Sequence, residues 1–136
     1  MREILFRGKR TLNGDWIEGL LWKKKYNDNR IFISYFPDQD DYEEAYSVCP
    51  ETIGQYTGLT DKNGKNIFEG DIVTQPVRET RKHSPCIVEF KDGKFQAHYI
   101  SEKRFFDRYY DLNSYTKVIG NIHDNPELLK GGENDV

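Results

Sequence analysis

Residues 86–100 read CIVEFKDGKFQAHYI, and their pattern decides the fold class. The dipeptide Asp92-Gly93 accepts the positive φ angles of a tight two-residue turn at little steric cost. On either side of it, apolar residues alternate. Cys86, Val88 and Phe90 fall on one face of the leading strand, and Phe95, Ala97 and Tyr99 on one face of the returning strand. The spacing predicts an antiparallel hairpin with Val88, Phe90, Phe95 and Ala97 toward the core and His98 on the more exposed side.

The same punctuation recurs outward from this hairpin. Asn13-Gly14 separates apolar runs at residues 4–7 and 16–22, and a third run at 31–36 is stopped by Pro37, which reads as a meander. Further strands are expected at 45–48, 53–57, 72–77 and 115–119, with the Asn63-Gly64 turn between the second and third of these. Residues 105–112 fit a single helical turn or a strand equally well. One short helix is expected near the end. There Asn125 can cap, Pro126 suits the first helical position, Glu127 favours the helix dipole, and Leu128 and Leu129 turn inward. The chain is thus all-β or nearly so, divided into residues 1–50, residues 51–130 and a frayed tail at 131–136.

Composition supports a folded core despite a mean hydropathy of -0.85. The 9 Tyr, 8 Phe and 2 Trp each bury on the order of 150–250 Å² when packed against a sheet. The 20 basic and 23 acidic residues balance, so net charge alone implies no general affinity for nucleic acid or membrane. Cys49 and Cys86 have no Cys-x-x-Cys partner. With no apolar signal segment after Met1, free thiols point to a reducing cytoplasm. No apolar run approaches the roughly 20 residues that span a bilayer.

Candidate chemistry fails on spacing. Gly58, Gly64 and Gly70 lack the Lys-Ser/Thr ending and following helix of a phosphate loop, and read as turns. Asp61-Lys62-Asn63-Gly64 opens like a calcium loop, but Lys65, Asn66 and Ile72 stand at its fifth, sixth and twelfth positions, so the ligand set is broken. Asp38, Asp40, Asp41, Glu43 and Glu44 read as a solvated acidic loop. His83, His98 and His123 have no ligand partners at metal spacing. Neither cysteine sits in a nucleophile motif. The expectation is no catalytic residue, no metal and no cofactor: the chain is not read as an enzyme.

Residues 52–73, TIGQYTGLTDKNGKNIFEGDIV, resemble the YopX family, small proteins encoded by phages and prophages of Gram-positive bacteria. Two further blocks carry the resemblance: Arg7-Gly8-Lys9-Arg10 followed by a turn and Trp16, and residues 118–127, VIGNIHDNPE. The resemblance implies a mostly β protein whose C-terminal part is a small SH3-like barrel, a phage or prophage origin, and a self-associating chain. It implies no reaction.

The surface residues give two candidate sites. Lys23, Lys24, Lys25 and Tyr26, with Arg81 and Lys82, form basic clusters suited to a polyanion or a protein partner. Lysines at strand ends also protect sheet edges, which is the alternative reading. Trp22, Phe105, Phe106, Tyr109 and Tyr110 are candidates for an oligomer interface, with Trp16, Phe32 and Tyr35 in the same class. Their alternative role is to fill space within one chain. The expected function is a non-catalytic binding or regulatory module that forms a homo-oligomer in the cytoplasm of a bacterial host. The second reading is a nucleic-acid-binding accessory protein.

Overall fold

A computed structural model describes residues 3–23, 30–35, 44–76, 84–99 and 108–130. The described chain is built of antiparallel strands with one short helix and divides into two compact units, residues 1–56 and 57–136.

In the first unit, β1 (Phe6–Lys9), β2 (Trp16–Lys23), β3 (Ile31–Tyr35) and β4 (Glu44–Val48) form the expected meander. Gly14 takes φ +76° in the turn between β1 and β2, a conformation that strains any residue with a Cβ. The meander then closes on itself. Arg10 bridges Val48, the Cys49 N–H donates to the Lys9 carbonyl at 2.8 Å, and the Thr11 N–H donates to the Ser47 carbonyl at 3.0 Å. Ile33 and Val48 are fully buried within this closure. Gly8 leaves them room, since a Cβ there would meet Val48 Cβ at 3.2 Å. A 3-10 turn at Pro50–Thr52 returns the chain to β1. The Thr52 hydroxyl accepts from Lys9 N–H at 2.9 Å and donates to the Cys49 carbonyl at 2.6 Å. β5 (Gly54–Thr60) pairs through Gly54 and Gln55 with Arg7 and Phe6, and its later residues enter the second unit.

In the second unit, β6 (Asn66–Phe68) neighbours β5. β7 (Asp71–Thr74), β8 (Cys86–Lys91), β9 (Lys94–Tyr99), β10 (Arg108–Asp111) and β11 (Lys117–Asn121) form a sheet in the order β10-β9-β8-β7-β11. The core gathers Ile67, Val73, Cys86, Val88, Ala97 and Val118, with Tyr99, Tyr110 and Leu112 packed against it. The short helix α1 (Glu127–Lys130) follows Asn125-Pro126 as expected.

The central hairpin forms at the expected residues, with Asp92 at φ 53° and Gly93 at φ 82°. The expected faces are kept, and two expected burials are corrected. Phe90 is 56% exposed, because β7 pairs with β8 only at Cys86 and Ile87 and the hairpin tip runs on beyond it. His98 is buried, because Tyr109 of β10 covers its ring. Two boundaries also move. β7 pairing ends at Thr74, and the expected strand at 115–119 starts instead at Lys117, since residues 113–116 form a turn closed by Thr116 N–H to the Asn113 carbonyl at 3.1 Å.

Gly19 carries the tightest approach in the first unit. A Cβ there would fall on the Ser34 carbonyl of the paired strand. Gly19→Ala should therefore lower the urea midpoint by the equivalent of about 3 kcal/mol. Gly14→Ala, strained only in φ, should cost about 1 kcal/mol. Equal midpoints for the two variants would contradict this packing.

Candidate binding surfaces

One face of the first unit's sheet is set by period-2 alternation along β2, which puts Trp16, Glu18, Leu20 and Trp22 together. Register places Lys9 opposite Trp16, Arg7 opposite Glu18, Ser34 opposite Leu20 and Phe32 opposite Trp22, so all share that face. Trp22 and Phe32 stack with ring centroids 4.6 Å apart and planes within 15°. The Trp22 indole N–H donates to Ser34 Oγ at 2.7 Å, which fixes the ring. Trp22 remains 37% exposed and Leu20 52%. Cations frame the rings. Buried Arg7 lies 4.8 Å and Lys9 5.4 Å from the Trp16 centroid, and Arg30 lies 5.7 Å from that of Phe32, whereas Lys23, paired with Ile31, falls on the opposite face.

The second unit presents a different surface at its hairpin tip. Phe90 and Phe95 pack edge to face at 5.0 Å, continuing the apolar side of the hairpin past the core. On the other side of the hairpin, His98 stacks on Tyr109 at 4.2 Å, and its Nδ1 lies 2.7 Å from a Glu89 carboxylate oxygen. The Lys91 ammonium lies 4.2 Å from the Tyr109 centroid. Its hydrogen bond with Tyr109, aided by the charges of Asp92 and Glu89, raises its pKa. Lys94 and Asp111 form an exposed ion pair at 2.9 Å nearby.

The polar residues inside the second unit serve the backbone. Asp61 is buried, and its Oδ1 accepts from the N–H groups of Asn63 and Lys65, both at 2.9 Å. Its Oδ2 accepts from Val118 N–H at 2.9 Å. Burial alone raises the Asp61 pKa, but these three bonds and the Lys65 charge outweigh it and hold the carboxyl below its ordinary value. Asp71 accepts from Phe68 N–H at 2.8 Å. The Thr116 hydroxyl donates to Gln75 Oε1 at 2.5 Å, and Gln75 Nε2 donates to the Asp111 carbonyl at 2.8 Å. Burial pushes the Cys86 thiol up to about 12, and its Sγ lies 3.5 Å from the Ser84 carbonyl oxygen. Among the described residues, no three His, Cys, Asp or Glu side chains gather as a metal shell.

This arrangement of turns and strands has a family. A family model described as YopX protein matches residues 5–130. The chain belongs to the YopX family. The crystal structure of protein EF1440 from Enterococcus faecalis is similar to this YopX chain with a TM-score of 0.54 and 27% sequence identity, covering 95% of this chain and 99% of that one. No match was found among curated proteins. No helix among the described residues is long and apolar enough to cross a membrane.

Of the residues singled out in the sequence, Trp22 and Lys23 lie at the end of β2, Tyr109 covers His98, and Tyr110 packs on the second unit's core. Lys24, Lys25, Tyr26, Arg81, Lys82, Phe105 and Phe106 lie outside the described residues. Sequence reasoning missed Leu20, Arg30 and Phe90 as surface groups. Period-2 alternation along residues 16–22, which groups Leu20 with Trp16 and Trp22, was the available signal for the first of these.

The depressed Asp61 pKa makes its stabilisation complete above the ordinary carboxyl range near pH 4 and lost as pH falls through the lower folded value. Asp61→Asn would turn an amide donor toward a backbone N–H. It should cost about 2 kcal/mol at neutral pH and flatten the loss of stability below about pH 4. Calcium should leave thermal unfolding unmoved, because the Asp61 oxygens are occupied by backbone donors. A melting temperature that rises with calcium would contradict this assignment.

Proposed function

We propose that this YopX-family chain is a non-catalytic binding module that associates with further copies of itself through the hairpin tip of its second unit. The observation that carries the reading is Phe90, 56% exposed on the apolar side of the hairpin and packed against Phe95. A large ring held rigidly at a strand end is the kind of anchor that dominates protein interfaces. The occupant is a second copy because the surround carries both charges. The hairpin tip carries both signs, with Lys91, Asp92 and Lys94 at its turn and Asp111 paired with Lys94 on the face opposite the rings, and a tip with both signs becomes self-complementary under a two-fold axis. β10 stands at the end of the sheet order and pairs with β9 as far as Asp111 and Gln96, next to Phe95.

The non-catalytic half of the reading is supported by where the reactive groups are spent. Asp61 and Asp71 cap backbone N–H groups, and a thiol pushed up to about 12 yields almost no thiolate at neutral pH. A phage- or prophage-encoded protein in the host cytoplasm completes the proposal. It rests on family membership and on the two free cysteines.

Light scattering at micromolar concentration should give a molar mass that is a multiple of 16.1 kDa. Phe90→Ser should shift that mass toward the monomer while changing stability by less than about 0.5 kcal/mol, as expected of an exposed site. A mass of 16.1 kDa at every concentration, or an oligomer indifferent to Phe90→Ser, would refute the proposal.

A further inference from the structure

We infer that the joined turns at residues 61–65 and 113–117 of the second unit form a binding surface for single-stranded nucleic acid, with Lys62, Lys65 and Lys117 on the phosphates and Tyr115 against a base. This goes beyond the self-association above and uses none of the residues of the hairpin tip. The fold brings two segments far apart in sequence into one surface. The Lys62 N–H donates to the Thr116 carbonyl at 2.8 Å, and the Val118 N–H donates to Asp61 Oδ2 at 2.9 Å, so residues 61–62 lie alongside residues 116–118. Lys65 joins them across its own turn, where its carbonyl accepts from the Asp61 N–H at 2.7 Å. Thr116 is fully buried and its hydroxyl is held by Gln75, which leaves Tyr115 and Lys117 exposed on either side of it.

The charge of this surface follows from which group the fold takes inside. Residues 57–68 and 112–122 hold four charged side chains, Lys62, Lys65, Lys117 and Asp61. Asp61 is buried and its oxygens accept from three backbone N–H groups, while the three lysines stay exposed in a chain whose net charge is -3. Among the described residues Lys62 and Lys117 have no ion-pair partner, and the Lys65 charge acts on the buried Asp61 carboxylate. Tyr115 is 69% exposed and makes no ring contact with a described residue. Its backbone is nevertheless braced: the Tyr115 N–H donates to Asn113 Oδ1 at 2.8 Å, and the Asn113 N–H donates to the Thr116 hydroxyl oxygen at 3.0 Å. An open ring on a fixed turn beside lysines is what stacks an unpaired base while its phosphates are held. An acidic peptide would satisfy the lysines and leave the ring unused. A duplex keeps its bases stacked inside and offers Tyr115 no π-face, so a single strand is the occupant these residues favour.

The fluorescence anisotropy of labelled oligothymidylate of about twelve residues should rise on titration with the intact protein, with a Kd of about 1 to 100 μM, the range of sequence-independent binding. With up to about three phosphates neutralised, log K should fall against log salt with a slope of about -2. Tyr115→Ala should weaken binding roughly 5- to 150-fold, and Tyr115→Phe should keep most of it, because a ring suffices for stacking. Lys62→Gln combined with Lys117→Gln should reduce the magnitude of the salt slope by about 1.4. All three positions are exposed, so these variants should melt like the parent protein. Any of three results would overturn the inference: no rise in anisotropy at up to about 1 mM protein, a Lys62→Gln, Lys117→Gln variant that binds as tightly as the parent, or equal affinity for duplex DNA or polyglutamate.

Discussion

A single buried carboxylate ties the second unit of this protein together. Asp61 sits in the turn before β6, where one of its oxygens closes that turn, while the other reaches Val118 on β11, 57 positions along the chain. A domain of this size has little apolar volume with which to fix its edge strands. The carboxylate supplies what the core does not: a charge-assisted bond that sets the position of β11 and seats Val118 among Ile67, Val73 and Val88. The same device recurs nearby. Asp71 closes the turn from β6 into β7, and the Thr116–Gln75–Asp111 chain ties the end of β7 to the segment after β10. Each bond satisfies a backbone or side-chain group that burial would otherwise leave costly.

That use of polar groups determines which side chains are left at the surface. Asp61, Asp71 and Cys86, which read in isolation as ligands or a nucleophile, are held by the fold, while Leu20, Trp22 and Phe90 stay exposed. In the first unit the closure of the meander by Arg10 and Val48 turns Ile33 and Val48 inward, which leaves Leu20, Trp22 and Phe32 on the other side of the sheet. In the second, the hairpin outruns its neighbour and carries Phe90 past the core. Both surfaces follow from strand length and register, and each belongs to its own unit.

The legible parts of this fold are those governed by local rules. Asp92-Gly93, Asn13-Gly14 and Asn63-Gly64 announce their turns because few residues accept a positive φ, and the alternating residues around them announce strands. The YopX motifs at residues 52–73 and 118–127 were legible for the same reason, being dense in turn chemistry. What was not legible depends on partners far away in sequence. β6 has three residues, too few to show a period. Asp61 looked like the start of a failed calcium loop because the donor that explains it belongs to Val118. Alternation puts His98 on the open side of the hairpin, since it says which face a residue takes but not what a third strand lays over it. The candidate surfaces are legible in part: residue type alone points to Trp22 and Lys23, but alternation assigns Phe90 to the core, since nothing local reveals that β7 stops short.

Amide hydrogen exchange of the intact protein tests the central claim most directly, because it reads the Asp61 bonds one donor at a time. The N–H groups of Val118, Asn63 and Lys65 should exchange slowly and together at neutral pH, with protection comparable to the paired amides of Glu89 and Gln96 in the central hairpin. Exchange of Asn63 and Lys65 at the rate of an open loop, with Val118 protected no better than a frayed strand end, would contradict the account.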